Sequence, residues 1–285
     1  MKRNAVIRIV IWSLIILCLI GILLSNLGLR VYRSEIRTHL SQSPETDAAN
    51  TPSNLANISG EQVTEIDIDW YSGNIHILPS EGSDITVKET EGNHPLDWKV
   101  EDSKLSIEFC EESIFSGLGL GRTAPKDLTV TVPRGWVCRQ LKIDAASSNL
   151  LVQDLTIQKA EIDSANGIAE FVNCTVDEME VDAASGDVMF EGCLDTLEFD
   201  AASASFTATL HNAPRVIDMD SASGSLDLTI PEDTGFSVRM QGIKNTFSAD
   251  DFEITKQNGV YTHGNGACRI EMDSMSGSVS LHKGK

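Results

Sequence analysis

The chain has 285 residues, 41% of them hydrophobic, enough apolar side chain for a packed core and too much for wholesale disorder. Its formal charge of −20 is uneven: six basic residues against Glu35 give residues 1–37 a charge of +5 and leave −25 on the remainder. A surface that acidic repels phosphate backbones, which argues against nucleic acid as a partner.

Ile9 to Leu29 is a run of 21 residues without a charge. It is long enough to cross a hydrocarbon core of roughly 30 Å as a helix, so residues 1–33 are expected to form an N-terminal transmembrane anchor. A cleaved signal peptide is the competing reading. No small-x-small cleavage site follows the run, and the run exceeds an ordinary signal-peptide core. Cys18 follows bulky Ile16 and Leu17, unlike a lipoprotein site. Basic residues flank both ends, so the positive-inside rule decides little. The acidity of residues 38–285 favours a single-pass cell-membrane protein with its C-terminal domain extracellular. Residues 34–59 are poor in large apolar side chains and rich in Ser, Thr, Asn and Pro, the composition of a flexible polar linker.

Residues 60–285 are expected to form one repetitive β domain. Asp84–Glu89, Lys104–Phe109 and Asp127–Pro133 alternate apolar and polar residues as strands do. Glu111 to Lys126 reads as a glycine-containing loop carrying Ile114, Phe115, Leu118 and Leu120. Such a loop either caps the end of the domain or contacts a partner or membrane surface.

From Asp144 onward the sequence repeats. Asp144, Asp163, Asp182, Asp200 and Asp220 each follow an apolar residue and precede a small-residue turn, at separations of 19, 19, 18 and 20. Outlying copies surround Asp69 and Asp273. No unit of about 19 residues can bury its apolar face alone, whereas stacked units make one continuous core. The fold class is therefore all-β, a repetitive β-solenoid-like stack; an antiparallel sandwich of look-alike strands is the alternative. Stacking puts the aspartates in a column with about 4.8 Å between rungs. Either hydrogen bonds from the following turn or a bound cation such as calcium would offset their repulsion, and the turn is the favoured answer. Cys174 and Cys193 each lie eleven residues after a repeat aspartate and are expected as buried, stacked thiols without a disulfide.

The succession of Leu128-Thr-Val-Thr-Val-Pro133, Ser-Gly-Asp-Val-like turns, Leu226-Asp-Leu-Thr-Ile-Pro231 and Ser276-Gly-Ser-Val-Ser-Leu281 resembles the bacterial "putative adhesin" domains of unknown function. The resemblance covers about residues 60–285. It implies a membrane-anchored, solenoid-like domain at the cell envelope without established catalytic residues. Ala204 departs from the glycine usual in such a turn.

No catalytic, cofactor-binding or metal-ligating residue is assigned. There is no Gly-x-Ser-x-Gly elbow, phosphate-binding Gly-Lys loop or His-Glu-x-x-His, and the six histidines have no ligand spacing. His211 reads as a coil-interior or turn residue. The regular carboxylates track the fold, so a polysaccharide-acting enzyme is disfavoured. Two functions remain. One is a non-catalytic envelope interaction module for a protein, wall polymer or glycan; the other is an accessory scaffold or sensor of a membrane signalling or stress system.

Overall fold

The computed structural model describes residues 54–90, 96–109 and 124–284. The anchor expected over 1–33, most of the linker and most of the Glu111–Lys126 loop lie outside them. Among the described residues no helix is long and apolar enough to cross a membrane. The linker expected over 34–59 ends in a strand, β1 (Leu55–Ser59). Ala56 and Ile58 point inward from it, and it pairs antiparallel with β3 (Asp84–Glu89). That inward alternation was hidden among polar neighbours.

The body of the domain is a stack of parallel rungs. β2 (Glu65–Ser80), β7 (Val137–Gln153), β8 (Thr156–Asn166), β9 (Ile168–Leu210) and β10 (Val216–Ile230) follow one another in sequence and in space. β9 is 43 residues long and carries more than one coil of the repeat. Each coil consists of two extended arms joined at the small-residue corner. Ile66 and Ile68 on one arm of β2, and Ile75 and Ile77 on the other, are all buried between the arms. Phe199 and Phe206 meet edge to face across that interior, with ring centroids 5.8 Å apart.

Some of the corners use backbone that only glycine adopts freely. Gly167 has φ +149 and Gly186 φ +124, and a Cβ on Gly186 would lie 2.1 Å from the carbonyl oxygen of Gly167. Ala204 occupies the equivalent place beside Gly224 and is buried, so that rung turns without a positive φ.

Two departures from sequence order shape the ends. At one, β5 (Lys104–Glu108) joins β2 in parallel and β4 (Asp97–Glu101) closes over β5 antiparallel, while β6 (Leu128–Pro133) pairs with β2 and β3. At the other, β14 (Cys268–Lys283) lies between β10 and β11 (Phe236–Ser248), parallel to both. The short antiparallel strands β13 (Val260–His263) and β12 (Thr255–Gln257) cover the outer side of the start of β11.

Candidate functional site

In-register stacking builds an acidic face. Asp69 pairs with Asp144, Asp144 with Asp163, Asp163 with Asp182, Asp200 with Asp220, and Asp220 with Asp273. The outlying copies at Asp69 and Asp273 thus belong to the column, one rung beyond each end of the consecutive repeats. Two residues earlier on the same strands, and so on the same side of the sheet, stand Asp67, Lys142, Glu161, Glu180, Glu198, Asp218 and Glu271. This second carboxylate column was legible in each Glu-x-Asp or Asp-x-Asp pair of the repeat.

The charge is compensated unequally along the face. Near its start, Lys104 Nζ lies 3.0 Å from Asp67, and Lys142 Nζ lies 3.0 Å from Asp144 and 3.9 Å from Asp163. Lys159 bridges Glu161 at 2.8 Å and Glu180 at 3.0 Å. These pairs hold Glu161 below the usual carboxylate range, Lys159 being the chief cause. Farther along, among the described residues, no lysine joins Glu198, Asp200, Asp218 and Asp220 in the register of the face; Arg269 reaches to 4.0 Å from Glu271, and Arg239 is Glu271's neighbour in register.

Burial, reinforced at several rungs by neighbouring carboxylates, raises the proton affinity of Asp163, Asp182, Asp200 and Asp220. Partial burial pushes Asp163 up to about 7, aided by its hydrogen bond with Asp144 and the charges of Asp144 and Asp182. Burial followed by the charges of Asp220 and Asp182 raises Asp200 to about 7. Asp220 rises to about 6 through burial and then Asp218 and Asp273. Burial also raises Asp182 and Asp218. The expected turn hydrogen bonds are therefore not the main answer: Asp144 and Asp163 are partnered by Lys142 and by each other. Among the described residues, no group of three or more His, Cys, Asp or Glu side chains is placed to hold a metal ion.

The thiols differ from expectation in one respect. Cys174 is buried and its thiol is pushed up to about 11 by burial, but Cys193 is only half-buried, and both are free. Asn173 at φ +53 and Gly192 at φ +143 shift the register, so that Gly192 rather than Cys193 lies over the Cys174 carbonyl. His211 is exposed in a turn, and its backbone N–H donates to the Gly192 carbonyl. His282 stands 3.4 Å from Asp227, and His263 packs on Phe236 and Phe252. His39 and His94 lie outside the described residues.

A buried ion pair went unforeseen. Lys126, expected at the rim of a loop, is only 2% exposed and lies 2.6 Å from Glu89, which is equally buried. Its carbonyl accepts a hydrogen bond from Trp70 Nε1, and its ammonium sits 5.1 Å from the Phe109 ring centroid.

A family model described as Toastrack DUF4097 matches residues 63–194 and 94–282, which together span most of the chain. The chain belongs to the Toastrack DUF4097 family. Three solved structures are similar to this Toastrack domain, each over 81% of the chain. A "putative cell adhesion protein" of Clostridium sporogenes shares 9% identity at TM-score 0.32, with 98% of its own chain covered. A "putative adhesin" of Bacteroides fragilis shares 13% at TM-score 0.48, with 98% covered. A "putative lipid binding protein" of Parabacteroides distasonis shares 16% at TM-score 0.40, with 96% covered. No curated protein matches the chain.

Proposed function

We propose that this Toastrack protein is a membrane-anchored cell-envelope interaction module. Its non-catalytic β domain stands outside the cell membrane and engages an envelope protein, wall polymer or glycan bearing positive charge. The observation that carries the reading is the pair of carboxylate columns, which lose their lysine partners beyond Glu180. A predominantly acidic face of this kind attracts cationic partners and discourages anionic ones. The uncharged run from Ile9 to Leu29 supports the anchor.

The test is crosslinking in intact cells with wild type and a Glu198→Lys/Asp218→Lys variant, followed by identification of what is attached. Loss of specific adducts in the variant supports the reading; identical adducts in both would sink it. Protease added to protoplasts should remove the domain, and survival of the domain until the membrane is permeabilised would reverse the orientation.

A second reading, an accessory sensor, draws on a separate observation. Asp163, Asp200 and Asp220 titrate at about 6 to 7, so the charge of the face changes across the range of ordinary environmental pH.

A further inference from the structure

The order β10, β14, β11 is not the order of the chain: β14 fills a slot between two strands that both precede it in sequence. Val216 pairs with Arg269, which pairs with Ser237; Leu226 pairs with Val279, which pairs with Phe247. In both cases the β10 and β11 residues are 21 apart in sequence, close to the spacing between successive coils elsewhere. Across the whole contact the offset is constant. Ile217, Ile270 and Val238 line up in the interior, as do Met219, Met272 and Met240. If β14 left, β10 and β11 could close on each other without a slip of register. Asp218 would then face Arg239, in place of the Glu271 that now separates them.

The chain reaches β14 through a short crossing, Gly264 to Ala267. Gly264 has φ +58 and Gly266 φ +66, and the Gly266 N–H donates to the His263 carbonyl at 3.1 Å. A few backbone dihedrals at these residues decide where β14 is delivered. Within the slot the contacts are specific to β14. Ser221 Oγ donates to Ser274 Oγ at 3.1 Å, the Gly277 N–H donates to Asn245 Oδ1 at 2.9 Å, and Ile270, Met272, Val279 and Leu281 are buried.

We propose that the slot between β10 and β11 is a strand-exchange site, and that its partner is the Cys268–Lys283 strand of a second copy of this chain. Two copies trading this rung remake every contact each made alone, which is why exchange of an identical element is a low-cost route to a dimer. The ability of β10 and β11 to close in register makes the intermediate with an empty slot accessible. Two copies held in one membrane would meet at high effective concentration.

Ser225 and Ser278 are in-register neighbours on β10 and β14, and they provide the test. Full-length chains in detergent are prepared as a Ser225→Cys variant, a Ser278→Cys variant and the double variant, each treated with a short thiol crosslinker, with wild type giving the background of the native cysteines. The double variant should crosslink within one chain. The two single variants, incubated together at high concentration, should give a crosslinked heterodimer that neither forms alone. An intact intrachain crosslink in the double variant with no heterodimer from the mixture overturns the exchange. Failure of the double variant to crosslink overturns the placement of β14 on which it rests.

Discussion

Asp220 stands directly beside Asp273, although residues 221 to 272 separate them along the chain. Asp273 raises the cost of ionising Asp220, and Asp220 does the same to Asp200 on the next rung.

This arrangement predicts an inverted pH profile. The folded-state affinities of Asp163, Asp200 and Asp220 for protons, with values of about 7, 7 and 6, lie above those of an unfolded chain. Their stabilising contribution is therefore complete at acid pH and is lost as pH rises through that range. The domain should melt at higher temperature near about pH 5 than near about pH 8, most clearly at low salt. Asp200→Asn should narrow that difference and raise the melting temperature at the alkaline end, because each like-charged neighbour at rung spacing costs about 1 kcal/mol even in a water-like dielectric. Calorimetry at both pH values checks this; a wild type more stable at the higher pH would refute it.

Coil modularity predicts tolerance of a whole-unit deletion. Removing Asp163 to Val181 joins Ile162 to Asp182, which brings Asp182 beside Asp144 in the register that Asp163 had. The shortened domain should unfold cooperatively at a lower temperature. Removing only Asp163 to Phe171 leaves a coil too short to return to the stack and should abolish the transition. Circular dichroism melting distinguishes the two.

Corner geometry predicts unequal glycines. Gly186→Ala places a Cβ 2.1 Å from the Gly167 carbonyl oxygen at φ +124 and should cost about 2–4 kcal/mol. Gly135 also has positive φ, +77, but its added Cβ would meet nothing within 4 Å. Gly135→Ala should cost about 1 kcal/mol. Denaturant titration of both variants gives the comparison.

The buried pair predicts a recovery. Lys126→Met leaves Glu89 buried without its ammonium partner and should destabilise by about 3–5 kcal/mol. Adding Glu89→Leu should restore most of that loss, as replacing a buried ion pair with apolar groups does elsewhere. A double variant no better than the single one would show that Lys126 acts through something other than this pair.

The repeat made the stack and its aspartate column readable, because units at a fixed spacing of apolar and acidic positions share one continuous core when stacked. Order was less legible. β11 carries Met240-Gln241-Gly242 at a repeat-like distance from Met219-Asp220-Ser221, so the local pattern marks it as the next rung after β10. Nothing near it signals that β14, a better copy, takes the place. Cys193 was misplaced for a related reason. Constant spacing in sequence implies constant register only where no residue is added at a bend, and Asn173 and Gly192 break that condition. Lys126 read only as the end of a loop because its neighbours are those of a loop, whereas its partner Glu89 lies on β3, far away in sequence.

The antiparallel strands at both ends have a consequence for assembly. A stack of near-identical parallel rungs presents, at each end, a template on which another molecule's rungs could continue without limit, as in cross-β fibrils. Here β3 and β4 run against the grain at one end and β13 does so at the other, and the strands beyond β3 and β13, β1 and β12, are only 5 and 3 residues long. β4 exposes Asp97, Lys99 and Glu101, and β12 is three exposed polar residues. Filament growth is thereby discouraged at both poles, and the molecule keeps a fixed length despite a sequence built for repetition.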